Sequence, residues 1–178
     1  MLIKKLLKTG ALSLSLFLSM GMTAFAATAV NIETKPTTVN VTVPSTMAVV
    51  FNEDGTNTLP TNFSVTNNSK IGGVSLTDIS VNSGSTGWNF CSANTDMRTK
   101  AADTKDIKFT MGKEGTTKVV APTTGEKATS ASAKFNSGEI SIPALGKETL
   151  TFSVERTAFK SAQSAAKAFD MTLTFAFN

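Results

Sequence analysis

Histidine and tyrosine are missing from this 178-residue sequence, and cysteine and tryptophan occur once each. Without histidine there is no imidazole base for a serine or cysteine nucleophile, and the commonest zinc ligand is gone. A single cysteine, Cys91, cannot close an internal disulfide. By alternation with Trp88 and Phe90 it is expected to point away from the core. Two readings stay open for it: an inert, partly covered thiol, or a bridge to another chain in an oxidising exterior. Solenoid-length repeats are absent, and no apolar run long enough to span a bilayer occurs.

The longest apolar run, residues 11–22, is softened by Ser13, Ser15 and Ser19 and preceded by Lys4, Lys5 and Lys8. Thr23-Ala24-Phe25-Ala26 follows with an A-x-A cleavage site. This order is that of a secretory signal peptide over residues 1–26, so the mature chain is expected outside the cell, secreted or held at its surface. The signal also removes three of the 17 basic residues and none of the 13 acidic ones, leaving fourteen against thirteen. Nucleic acid is therefore not an expected partner. Neither a second apolar segment nor an LPxTG-like sorting sequence follows, so no membrane span and no covalent anchor are expected in the mature chain.

The mature part reads as strands. Apolar residues alternate with Thr, Ser and other polar ones at Val39/Val41/Val43, Phe63/Val65, Trp88/Phe90, Ile107/Phe109/Met111, Ile140/Ile142, Leu150/Phe152/Val154 and Met171/Leu173/Phe175/Phe177. Period two means one buried face and one wet face. Asn52-Glu53-Asp54-Gly55 marks a tight reversal after residues 47–51. Within 74–81 the apolar phase slips from Val74 and Leu76 to Ile79 and Val81, which predicts a bulge near Thr77-Asp78. The expected fold is mainly β: a single β-sandwich, Ig-like or jelly-roll-like, of about nine or ten strands over residues 38–178. Ala-rich residues 157–168 lack Pro and Gly and predict one short helix before the C-terminal strand. Residues 113–134, the least patterned stretch, are expected to form a long hairpin or loop.

Candidate sites are few. Asn52, Asp54 and Asn57 offer oxygen ligands for calcium, but they lack an EF-hand's spacing, and a plain turn is the preferred reading. Asp103 and Asp106 could form a glycosidase pair, although nothing in the sequence sets their separation; a solvated loop is preferred. The sequons at Asn40, Asn62 and Asn67 matter only in a eukaryotic host, and the signal is of bacterial type. Trp88 is expected in the core rather than on a sugar platform. The sequence leaves open a Lys–Asn amide crosslink within or between subunits and assigns no pair to it. No cofactor and no enzymatic activity are expected.

Two segments resemble the motifs of the WxL domain of Gram-positive surface proteins. Gly84, Gly87, Trp88, Asn89 and Phe90 are similar to that family's Gly-rich lead into Trp-x-Leu, with Phe90 in place of Leu. Met171 to Phe177 resembles its closing strand, with Phe175 and Phe177 in place of the second Trp and Leu. The resemblance implies non-covalent attachment to peptidoglycan. In overall plan the chain also resembles secreted matrix-fibre subunits of the TasA/camelysin kind, which implies self-assembly.

The segment 27–37 gives a physical route to assembly. Val30 and Ile32 alternate with polar residues ahead of Pro36, so this stretch is either a donor strand for a neighbour's sheet edge or the first strand of its own sheet. The functional expectation is an extracellular structural protein, a homopolymer forming a surface fibre, pilus or biofilm matrix. The alternative is a peptidoglycan- or glycan-binding surface module.

Overall fold

The computed structural model describes Ile32 and residues 38–178. The signal peptide over 1–26 and the segment 27–37, Ile32 excepted, lie outside the described residues. The chain divides into two units, Met1–Lys35 and Pro36–Asn178, and the architecture below is that of the second.

Fourteen strands build it: β1 (Val41–Thr42), β2 (Val50–Phe51), β3 (Asn57–Thr58), β4 (Ser64–Asn67), β5 (Val74–Asn82), β6 (Asn89–Cys91), β7 (Asp106–Lys113), β8 (Thr116–Val120), β9 (Lys127–Ala128), β10 (Ser130–Lys134), β11 (Ser141–Ile142), β12 (Lys147–Thr149), β13 (Thr151–Arg156) and β14 (Asp170–Phe177). The fold is mainly β and sandwich-like. One sheet centres on β5, which carries β14 on one side and β10 and β11 on the other. A second centres on β7, paired with β13, β8 and β6, and β6 pairs in turn with β9. The β6–β7 pair is parallel and every other pairing is antiparallel. A bridge between Ala121 and Ser132 links the two sheets beyond the end of β8. A three-stranded sheet, β1–β4–β12, and the hairpin β2–β3 complete the structure.

The alternating residues meet between the layers. Leu76, Ile79, Phe90, Phe109, Met111 and Ile142 are fully buried. The expected bulge forms at Thr77: Leu76 pairs with Phe175 and Asp78 with Thr174, so Thr77 is the extra residue on β5. Its backbone carbonyl accepts from Phe135 N at 2.9 Å, and its hydroxyl donates to Thr174 O at 3.1 Å. The slip lets Val74, Leu76, Ile79 and Val81 all face the core, at 0–3 % exposure. At Gly112 the sheet is too close for a side chain, since a Cβ there would lie 2.5 Å from Thr116 O.

Three expectations are corrected. The short helix over 157–168 does not form; the helical turn among the described residues is a 3-10 turn at Met97–Thr99. Residues 157–168 instead form an irregular segment with a bend at 160–161, tied at both ends. Thr157 N donates to Asp106 O, Asp103 N to Ala158 O and Lys160 N to Asp103 Oδ1, while Thr86 Oγ1 donates to Ala168 O. Helix propensity is a weak prior, and a twelve-residue helix is marginal when its alanines supply little apolar surface to bury. Of the long hairpin or loop expected over residues 113–134, the open loop is not what forms: β8, β9 and β10 lie there, with β8 in a hairpin with β7 and an antiparallel bridge between Ala121 and Ser132. Alanine hid β10 from sequence reading, although Ala131 and Ala133 are its buried residues. Finally, Cys91 is fully rather than partly covered, although it stands outside the core cluster that holds Phe90.

Candidate functional site

The two central strands, β5 and β7, lie in sheets with unequal edges. On β7 the outer neighbour is β13, whose inward residues Phe152 and Val154 are 9 % and 6 % exposed. The hairpin β2–β3 closes over its far end. Asn57 Nδ2 donates to Val154 O, Arg156 donates to Asn52 O at 2.9 Å, and the Arg156 guanidinium lies 5.0 Å from the Phe51 ring centre. At its near end Leu150 N donates to Phe63 O at 2.8 Å.

On β5 the outer neighbour is β14, and among the described residues no strand pairs with its other side. Met171, Leu173, Phe175 and Phe177 pair with Val81, Ile79, Leu76 and Val74. The β5 residues are buried, whereas their β14 partners are only half-buried. Coverage therefore falls from complete to partial across one strand spacing of about 4.8 Å. β14 carries none of the usual protection of an edge: no proline and no lysine, and Asp170 at its start is its one charge.

The other sequence candidates are dispersed. Trp88 is half-buried in an aromatic cluster, 5.9 Å from Phe51 and 5.8 Å from Phe159 between ring centres. Phe90 is in the core, edge-on to Phe169 at 5.1 Å. The two WxL-like segments thus lie on different sheets, Phe90 on β6 and Phe175 and Phe177 on β14. Val30 lies outside the described residues, and Ile32 is 82 % exposed.

Asn52, Asp54 and Asn57 stand at the β2–β3 turn, but their side chains do not converge. Asp54 Oδ1 accepts from Thr56 N at 2.9 Å and Thr56 Oγ1 at 2.6 Å. Those bonds hold its carboxyl below the ordinary carboxylate range. Asn52 Nδ2 donates to Thr56 Oγ1, and the Asn57 amide turns to β13.

Asp103 and Asp106 are likewise separate in role. Asp103 anchors the irregular 157–168 segment, while Asp106 is 1 % exposed and paired with Lys127. Asn67, one of the sequons, is fully buried. Its Nδ2 donates to Gly72 O, Ile142 O and Pro143 O, and its Oδ1 accepts from Ser69 N, so its amide is committed to folding. Burial pushes the Cys91 thiol up.

Sequence reasoning located β14 as a strand and missed it as an edge. Its alternation was visible, but its lack of a second neighbour among the described residues is a property of strand order. Comparison with protein-family models, curated proteins and solved structures finds no match.

Proposed function

We propose that this chain is an extracellular structural protein whose subunits join by strand addition, with residues 28–33 of one copy laid along β14 of the next. The observation that carries the reading is the side of β14 left unpaired among the described residues, with four apolar side chains half-covered beside β5 partners that are buried. A six-residue strand is ~20 Å long at about 3.3 Å per residue, which covers most of the eight residues of β14. Val30 and Ile32 would fall on one face at alternate positions, the pattern that strand addition reads as register.

Magnitudes favour a dynamic joint. Completing the burial of four half-covered side chains contributes roughly 3–6 kcal/mol. Each added backbone hydrogen bond contributes about 1 kcal/mol. Association costs at least about 4 kcal/mol, so the joint would be concentration-dependent. Because donor and acceptor are different surfaces, the contact is heterologous, and its repetition builds rings or open filaments.

The test compares the chain beginning at residue 27 with one beginning at residue 36, by size exclusion and negative-stain microscopy. The longer chain should form filaments or a ladder of oligomers, and the shorter should stay monomeric. A longer chain that remains monomeric at high concentration overturns the reading.

Peptidoglycan binding is the second reading, favoured by the half-buried Trp88 ring beside Phe51 and Phe159. Retention of the shorter chain on purified peptidoglycan, lost in Trp88→Ala, would support it; no retention argues against it.

A further inference from the structure

Among the described residues Asp106 is the one buried carboxylate, at 1 % exposure, and strand addition gives it nothing to do. Two nitrogens meet on it. Its Oδ1 accepts from Asn89 Nδ2 at 3.0 Å and from Lys127 Nζ at 3.3 Å, and its Oδ2 lies 3.2 Å from the same Nζ. Strand register explains the meeting. Asn89 on β6 pairs with Asp106 on β7, and Cys91, two residues along β6, pairs with Lys127 on β9. Residues two apart on a strand share a face, so amine, carboxylate and carboxamide all stand on one side of three adjacent strands. The Lys127 side chain reaches in from the rim and keeps 46 % of its exposure.

We infer that Lys127 and Asn89 are joined by an amide bond formed by the folded chain itself, with Asp106 as the catalytic acid–base. The Asp106 carboxylate takes one proton from the Lys127 ammonium. The freed Nζ adds to Asn89 Cγ, forming the Nζ–Cγ bond. A second Nζ proton passes through the same carboxyl to Nδ2, the Cγ–Nδ2 bond breaks, and ammonia departs, carrying off the first proton as ammonium. No oxidant, metal or cofactor enters the balance. An amine and an amide do not react appreciably in water, but holding both on one buried acid–base group replaces a bimolecular encounter with a positioned one. The product would tie β6 to β9 and close the chain between residues 89 and 127, shrinking the unfolded ensemble as a disulfide does in a protein whose one cysteine cannot.

A second lysine–carboxylate pair supplies an internal control. Glu139 Oε2 accepts from Lys118 Nζ at 2.7 Å and from the backbone N of Asn136 at 2.6 Å, but this carboxylate is 28 % exposed, where Asp106 is enclosed.

Intact-mass spectrometry of the purified chain, with its N-terminus read by sequencing, decides the matter. The expected mass is that of the sequence less one ammonia, with a branched proteolytic peptide joining Asn89 to Lys127. Lys127→Arg keeps the cation opposite Asp106 yet cannot form the bond, and should return to full mass with an unchanged circular dichroism spectrum and a lower Tm. Asp106→Ala, if it folds, should accumulate unlinked chain, and Asn136→Ala should still lose ammonia. Full sequence mass in the parent chain overturns the proposal. So does an ammonia loss that persists in Lys127→Arg, which would mark a succinimide, or a branch joining other residues.

Discussion

β13 and β14 are both outer strands, both alternate apolar and polar residues, and both lie against the central strand of their sheet. On β13 the apolar side chains are buried, and the hairpin β2–β3 binds its backbone. On β14 the same kind of side chain is half-covered and the far side is unpaired among the described residues. What separates them is not their own sequence but what lies next to them. An edge is safe when something polar is committed to it, and the Asn57 amide and Arg156 do that for β13 alone.

The largest effect that would sharpen this contrast is a pair of truncations measured by urea unfolding of the chain beginning at residue 36. Phe152→Ala should cost ~3–5 kcal/mol, because Phe152 packs against Phe63 and Phe109. Phe175→Ala should cost only about 1–2 kcal/mol and should weaken assembly of the longer chain more than it weakens folding. Equal costs would mean that β14 is as well covered as β13.

Asn57→Ala should come next, at about 1 kcal/mol from loss of the bond to Val154 O. It should uncap the β13 edge, seen as faster amide hydrogen exchange along residues 151–156 with β14 unaffected.

Acid should act in the same direction and more weakly. The folded-state value of Asp54 is lowered by its bonds to Thr56. Its stabilisation of the β2–β3 turn is therefore complete above the ordinary carboxylate range and is lost as pH falls through the lowered value. Exchange of β13 amides should accelerate over that window while the pattern in β14 stays level.

The smallest change expected is none. Cys91, buried and with its thiol pushed up, should not react with a thiol reagent at neutral pH until the chain unfolds, whichever edge is opened.

Much of the fold was legible in the residues. Alternation marked β4, β5, β7, β13 and β14, and the phase slip between Leu76 and Ile79 placed the bulge at Thr77. These are local signals, repeating within a few residues. What was not legible depends on partners far along the chain. Residues 157–168 follow the anchors at Asp106, Asp103 and Thr86 rather than alanine propensity. Cys91 alternates with Phe90 as expected, yet it is buried too, because β6 is covered at both residues. The candidate site divides in the same way: Val30, Ile32 and the β14 apolar residues could be singled out, but not which strand would be left open. Asn89, Asp106 and Lys127 could not be grouped at all.

By itself, then, the sequence determined the strand-rich class of the fold, the faces of its main strands, the bulge and the absence of imidazole chemistry. These follow from side-chain period and residue inventory, which need no knowledge of neighbours. Only the tertiary structure decided that, among the described residues, the β14 edge is left bare while the β13 edge is capped by the β2–β3 hairpin, and that an amine, a carboxamide and a buried carboxylate share one face. The reason is physical: backbone pairing joins residues tens of positions apart, and the order in which strands pair is set by the whole packed chain rather than by any segment of it.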